Sequence, residues 1–353
     1  MLKSGPPVKG TLTRDEALKF YYEMSVIRRM ENSAADLYKS RYIRGFLHLY
    51  AATEAVCTGI KSVLKPDDIV TTAYRCHGWA YMMGIEPVAI IAELMGKVTG
   101  SSRGKGGSMH MYGPKFFGGN GIVGAHVPVG TGVAFAFKYM NKPNVSVVLY
   151  GDGAANQGQV FEAYNLAKLH MLPVLYICEN NKFGMGTKAS DSSASTEYYK
   201  RCTYIPGLWV DGMDVLSVRE ATRFATKYVL SGQGPLVMEV DTYRYFGHSM
   251  ADPGVSYRSR DEIKQVRETR DCINKLKTQM IAGKLATEEE IKAINKTVKN
   301  EVDAAIEQAK KDKFSPLDEI GAGVYSQPLR EIVRGVTPWT PHKVKSMTSY
   351  INT

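Results

Sequence analysis

Apolar residues along this chain recur with two different periods, and the change from one to the other marks its most informative segment. Residues 145–150 form a β-branched apolar run of strand length that stops at Gly151-Asp152-Gly153. From 159 to 170, Val160, Phe161, Tyr164, Leu166 and Leu169 return at roughly helical spacing. Pro173 closes the connection, and 174–178 reads as a second buried strand running into Glu179-Asn180-Asn181. Strand, helix and strand at this length predict a βαβ crossover. Its two strands are parallel, with both carboxyl ends on one edge of a sheet.

The remaining pattern predicts more of the same α/β architecture. Thr13-Arg-Asp-Glu16 is a capping box that opens a helix to about Lys39, carried by Tyr21, Met24, Ile27 and Met30. Helices are predicted over 54–64, 85–97, 128–139 and 215–229, and strands over 68–72, near Trp209 and over 235–242. A Ser/Thr-rich loop spans 187–196, and a polar loop, 246–262, leads into amphipathic helices up to about 313. Residues 100–124 are rich in glycine, with Ser, Lys and His interspersed. A loop of that length inside a compact domain is normally functional. The domain is expected over 13–325, and residues 326–353 read as an extended tail, contacting a partner or disordered.

The crossover sets Asp152 and Asn181 side by side, where open α/β sheets bind ligands. A carboxylate oxygen and an amide oxygen suit Mg²⁺, which takes its remaining ligands from phosphates and water. Gly151 and Gly153 let the backbone approach a diphosphate closely, and the following helix aims its N-terminal N–H groups at the same place. A lone Gly-Asp-Gly is more simply a turn in which Asp152 caps a helix. The Asn-Asn pair after the neighbouring strand tips the reading towards a ligand site.

Composition narrows the classes. With 353 residues, 44% of them hydrophobic, the chain can bury a large core. It has no apolar run long enough for a bilayer and no secretory h-region, and its first ten residues are too short and too poor in Arg and Ser for a convincing transit peptide. Cys57, Cys76, Cys178, Cys202 and Cys272 make no CxxC pair and read as reduced core or helix residues. The net charge of +10 is scattered over helix faces without a nucleic-acid-binding motif, so acidic small molecules and an acidic partner surface account for it.

Gly-Asp-Gly followed after a crossover by Asn-Asn resembles the thiamine-diphosphate signature. Arg44-Gly-Phe-Leu-His48, Thr72-Ala-Tyr-Arg75, Lys105-Gly-Gly-Ser-Met-His110, Gly118-Gly-Asn-Gly-Ile-Val-Gly124 and Tyr243-Arg-Tyr-Phe-Gly-His-Ser249 are similar to the α subunits of pyruvate dehydrogenase E1 components. The resemblance runs from about Thr13 to Tyr325. It implies a thiamine-diphosphate-binding fold, a mostly parallel sheet sandwiched between helices, with C-terminal helices. It also implies thiamine diphosphate and Mg²⁺ as cofactors, and oxidative decarboxylation of pyruvate with reductive acetylation of lipoyl groups.

Site residues carry over position by position. Asp152, Asn181 and the Phe183 carbonyl correspond to metal ligands, and Tyr74, Arg75, Gly113, Gly153, Ala154 and His248 to diphosphate and cofactor contacts. Gly121 and Val123 correspond to aminopyrimidine contacts, although 119–124 also fits GxGxxG. No predicted strand precedes that stretch, so the dinucleotide reading fails, leaving plain loop packing as its competitor. His48 corresponds to the residue that receives the 2-oxo acid, and His248 follows a core strand at the diphosphate edge; both are catalytic candidates. Ser249 and Ser256 correspond to phosphorylation sites, while Lys188 stands where a third serine is usual. His110 is open between loop packing and function.

The family's pyrimidine-side Glu comes from a separate β subunit, and no second pyrimidine domain is visible here. The resemblance therefore implies an α2β2 heterotetramer, with a lipoyl domain of E2 and a regulatory kinase and phosphatase as further partners. It implies a mitochondrial matrix location, or a bacterial cytoplasm as the alternative. Departures are Ala52-Thr53 for Gly-Gln, His126 for Gln, Phe183 for Tyr and Phe246 for His; the first two are expected to alter the substrate end of the pocket. The alternatives are a branched-chain 2-oxo acid or acetoin enzyme, or a non-catalytic subunit that keeps the fold.

Overall fold

A computed structural model describes residues 2, 5–7, 10–317, 319, 332–334, 339 and 341–343. The chain opens on α1 (Arg14–Lys39), whose Thr13 and Glu16 close the expected capping box, followed by α2 (Glu54–Lys61) and β1 (Ile69–Thr71). Next come α3 (His77–Met82), α4 (Pro87–Leu94) and α5 (His126–Tyr139). The crossover is β2 (Ser146–Gly151), α6 (Gly158–Leu169) and β3 (Val174–Asn180). β4 (Phe183–Gly184) forms a hairpin with β5 (Thr187–Lys188), and β5 and a single turn, α7 (Ala189–Ser192), fall within the expected 187–196 loop. Then follow β6 (Gly207–Asp211), α8 (Val215–Tyr228) and β7 (Leu236–Asp241). The helices α9 (Arg260–Arg270), α10 (Cys272–Ala282) and α11 (Glu288–Lys311) come last.

Five strands make one sheet in the order β1-β2-β3-β7-β6, every pairing parallel. Side chains alternate across it, as the two-residue period of a strand requires. Val147, Leu149, Leu175, Ile177, Leu236 and Met238 join one core with α1–α4, α8 and α11. Val148, Tyr150, Tyr176, Cys178 and Val237 join another with α5 and α6. The sheet is therefore sandwiched between helical layers, as the resemblance implied.

Several expectations change in detail. α2 ends at Lys61, the six-residue α3 forms where no element was predicted, and β3 continues two residues past Cys178 because its ladder with β7 extends to Asn180. On α6, Val160, Ala163, Tyr164 and Ala167 are buried, whereas Phe161, Leu166 and Leu169 are exposed. The helix is right; its apolar residues point two ways. All five cysteines are free and buried. Among the described residues no helix is long and apolar enough to cross a membrane.

Packing divides the chain into units of Met1–Asp312 and Lys313–Thr353. Within the second unit, β8 (Ile332–Arg334) pairs antiparallel with β9 (Pro341–Lys343). Apart from Trp339, the rest of the tail expected at 326–353 lies outside the described residues.

Candidate cofactor and active site

Parallel pairing of β2 with β3 brings Gly151 opposite Glu179, so Asp152 and Asn181 leave the sheet from adjacent strand ends. Asp152 is buried, and burial raises its pKa. N–H groups of Asp152 itself and of Asn181, and the charges of Arg244 and Lys182, oppose that rise without cancelling it. Gly153 and Ala154 lead into a short 3₁₀ turn, Ala154–Asn156, ahead of α6. A Cβ on Gly153 would sit 3.4 Å from the Gly184 Cα, so the two loops touch through bare backbone.

Arg244, three residues past the end of β7, closes this edge. Its Nη1 donates to Asn181 Oδ1 at 3.4 Å and to the Phe183 carbonyl at 3.2 Å; its Nη2 donates to the Met185 carbonyl and to Tyr257 Oη. The amide oxygen and the carbonyl expected as metal ligands thus already converge on one positive nitrogen. With the Asp152 carboxylate beside them they form a set of hard oxygens. Among the described residues no group of three or more His, Cys, Asp or Glu could hold a metal ion. A cation here would rest on one carboxylate, neutral oxygens and the oxygens of its own anionic ligand, which fits Mg²⁺ carrying a diphosphate.

Beside that edge opens a cavity of about 590 Å³, lined by His48, Tyr74, Gly121, Val123, His248, Ser249 and Ser256 among the expected residues. His48 and His248 meet edge to face with ring centroids 5.2 Å apart, and Tyr74 lies 4.6 Å from the first and 5.4 Å from the second. Burial, then the Arg75 charge, pushes the His48 pKa down to about 2. Burial, Arg75 and Arg244 push His248 down to about 4. Both imidazoles are therefore neutral near pH 7, and Nδ1 of each has no hydrogen-bond partner. Such buried, unsatisfied nitrogens are costly unless a ligand meets them.

Asp252 organises the loop that carries His248. Its carboxylate accepts from the His248 and Gly254 N–H groups at 2.6 and 2.8 Å and from Tyr257 Oη at 2.5 Å. Burial opposes its ionisation, but these hydrogen bonds overcome burial and hold its pKa below the ordinary value.

Not every expected residue reaches the cavity. Arg75 is buried and donates to the carbonyls of Leu49 and His248. Gly113 makes a reciprocal backbone pair with Phe116. His126 lies under the sheet with Nε2 against the Leu149 carbonyl at 2.5 Å, and Ala52 packs with Met213, Tyr243 and Tyr245, so neither lines the substrate end. His110 stands behind Gly121, where a Cβ would meet its Nε2 at 3.3 Å. Ser249 is buried at the wall and Ser256 is exposed at the rim. Sequence reasoning gave no role to Arg244, Asp252, Met109 or Met185. Only Arg244 carried a usable signal, a cation just past a core strand on the same sheet edge.

Residues 22–318 match the model of the dehydrogenase E1 component family. The chain belongs to that family. It is 57% identical over 336 residues, 95% of this chain and 85% of the relative, to the Caenorhabditis elegans "Probable pyruvate dehydrogenase E1 component subunit alpha, mitochondrial". It is 52% identical over 336 residues to the Ascaris suum pyruvate dehydrogenase E1 component subunit alpha type II, mitochondrial, covering 95% and 86% of the two chains. The Homo sapiens somatic form is 53% identical over 342 residues, covering 97% and 88%. This chain is thus an α-type E1 subunit of the 2-oxo acid dehydrogenase family.

Proposed function

We propose that this chain is the α subunit of a pyruvate dehydrogenase E1, which with a β subunit decarboxylates pyruvate oxidatively and acetylates lipoyl groups of E2. The observation that carries the reading is the hard-oxygen edge of Asp152, Asn181 and Phe183, which Arg244 ties through the Met185 carbonyl and Tyr257 Oη to the wall of a cavity with two neutral imidazoles. Asp152, Asn181 Oδ1 and the Phe183 carbonyl would hold Mg²⁺, with Gly153 and Ala154 close to the diphosphate. Thiamine diphosphate, when bound, supplies a nucleophilic carbon and an electron sink for loss of carbon dioxide.

The chain's own residues bind, orient and exclude water. His48, uncharged and with an open nitrogen, donates a hydrogen bond to the 2-oxo acid. His248 and the Tyr74 hydroxyl face the same space and hold the anionic groups and protons beside it. Phe46, Met109, Met185 and Val123 wall the cavity with apolar surface, which strengthens each polar contact inside.

The need for a β subunit is supported by exposed apolar residues on two neighbouring helices, Val129, Phe135 and Tyr139 of α5 and Phe161, Leu166 and Leu169 of α6. Apolar surface of this kind marks a protein interface. The reading includes an α2β2 assembly, a lipoyl domain of E2 as acceptor, a mitochondrial matrix setting, and control by a kinase and phosphatase at Ser249 and Ser256. The names of the three relatives point the same way.

Co-expression with a β subunit, followed by a pyruvate-dependent assay with Mg²⁺ and thiamine diphosphate, tests it. The complex turns over and the isolated chain does not; steady turnover by the isolated chain would contradict the half-site. Pyruvate is expected to exceed branched 2-oxo acids and acetoin in kcat/KM, each extra methylene counting for about 1–3 kcal/mol. A reversed preference moves the assignment to those enzymes, and an inactive complex to a non-catalytic subunit.

A further inference from the structure

A chain of buried polar groups runs from the first helix to the cavity wall. Glu31 of α1 is fully buried, and its two carboxylate oxygens lie 2.9 and 3.1 Å from His77 Nδ1. His77, the first residue of α3, is 1% exposed. Its Nε2 sits 2.9 Å from Ser108 Oγ and 3.2 Å from the Ser108 carbonyl. Ser108 belongs to the glycine-rich loop, and its Oγ accepts the His48 backbone N–H at 3.1 Å. Nothing in the residue types of Lys105-Gly-Gly-Ser-Met-His110 assigned Ser108 a task.

The backbone around His48 is gripped from three sides. Met250 N–H donates to the Leu47 carbonyl at 2.9 Å, Ser108 Oγ takes the His48 N–H, and Arg75 Nη1 donates to the Leu49 carbonyl at 2.6 Å. The His48 ring itself has an unpartnered Nδ1, so backbone placement and packing against Tyr74 and His248 decide where that nitrogen points. Of the three grips only the one through Ser108 is anchored outside the site, in a carboxylate–imidazole pair within the helical core. Burying polar groups of this kind is costly, and well-packed apolar residues of similar volume often serve a core as well or better. A purely structural role is therefore a poor account of Glu31 and His77.

We propose that Glu31, His77 and Ser108 form a positioning relay that sets His48, and hence the substrate end of the cavity. Met109, next to Ser108 in the chain, lines the same cavity. Neither Glu31 nor His77 lines this cavity, and their hydrogen-bonded path to His48 runs through Ser108. The kinetic half of this inference rests on the assignment of His48 to the 2-oxo acid; the structural half does not.

The test uses the reconstituted α2β2 complex carrying Ser108→Ala, which removes one oxygen, and Glu31→Gln, which keeps the shape and removes the charge. Ser108→Ala is expected to lower kcat/KM for pyruvate about tenfold, chiefly through KM, as a small misplacement of a binding group does. Glu31→Gln changes it in the same direction. Calorimetric affinity for thiamine diphosphate stays within about twofold, and Ser108→Thr, which retains the hydroxyl, restores KM. Hydrogen–deuterium exchange over residues 46–50 provides a readout independent of turnover: the His48 amide loses protection in both Ser108→Ala and Glu31→Gln. Wild-type protection and wild-type KM in both variants would overturn the relay. Equal losses of cofactor affinity and pyruvate kcat/KM would overturn it too, because they indicate general loosening. A wild-type complex without pyruvate turnover sinks the proposed function alone, and the exchange experiment still decides the relay.

Discussion

Arg75 holds His248 by its backbone: Nη2 donates to the His248 carbonyl at 2.8 Å, while Nη1 of the same guanidinium reaches the Leu49 carbonyl at 2.6 Å. One planar cation thus ties together the two segments that carry the facing histidines. Its charge also depresses both imidazole pKa values, and its own is lowered to about 10 by burial first and by Arg244 second.

This geometry separates two roles for Arg75. Lysine keeps the charge but offers a single ammonium in place of the two-armed fork. If Arg75 acts as the bracket, Arg75→Lys lowers turnover by roughly tenfold or more while calorimetric affinity for thiamine diphosphate changes little. A parallel loss of cofactor affinity would instead make it a direct phosphate ligand.

Asp152→Ala is expected to abolish Mg²⁺-dependent binding of thiamine diphosphate, measured by calorimetry. The metal-free protein should melt no lower than the parent, because the carboxylate removed is desolvated and carries a raised pKa. Unchanged cofactor affinity would remove Asp152 from the site.

Acid stability follows from the buried histidines. His48, His126 and His248 have folded pKa values near 2, 4 and 4, below the 6.5 of an exposed imidazole. Below pH 6.5 the unfolded chain therefore binds more protons than the folded one, and stability present above that pH is lost as pH falls towards 4. Glu179, raised by burial to about 7, works in the opposite sense, losing stability as pH rises from 4.5 to 7, and offsets part of the slope. Denaturant midpoints should fall between pH 6.5 and 4, and His248→Asn should flatten that fall. A midpoint that rises towards pH 4 would contradict the neutral imidazoles.

Ser249 is buried at the cavity wall beside His248, so a phosphoryl group there brings a charge of roughly −1.5 to −2 into the space proposed for the anionic cofactor and substrate. Ser249→Glu should turn over pyruvate more slowly than Ser249→Ala in the reconstituted complex. Equal rates would remove this serine as a switch.

Ala52 has φ of +87°, where the family pattern carries glycine. Ala52→Gly gives up a buried methyl, about 0.8 kcal/mol, but relieves a left-handed backbone whose cost is about 1–2 kcal/mol. Chemical denaturation should find the variant at least as stable as the parent, unlike an ordinary cut into the core. A loss of about 2 kcal/mol or more would show that the methyl packs better than the backbone suffers.

Local pattern alone determined the crossover. The apolar run into Gly151-Asp152-Gly153, the helical spacing after it and the Asn180-Asn181 end specify parallel neighbours, because periodicity and connection length are properties of adjacent residues. Resemblance named His48, Tyr74, Gly121, Val123 and His248, and the fold gathers them around one cavity. Only tertiary structure decided the rest. Which face of α6 is buried depends on where α5 lies, so Val160 is covered and Leu169 is not. Arg75 and Gly113 turned to backbone partners that lie far along the chain or in a local turn, as a buried guanidinium must satisfy its donors wherever carbonyls are near. The Glu31–His77–Ser108–His48 chain joins residues up to 77 positions apart, from Glu31 to Ser108. No periodicity encodes such a contact; it exists because α1, α3 and the glycine-rich loop close on one another when the core forms.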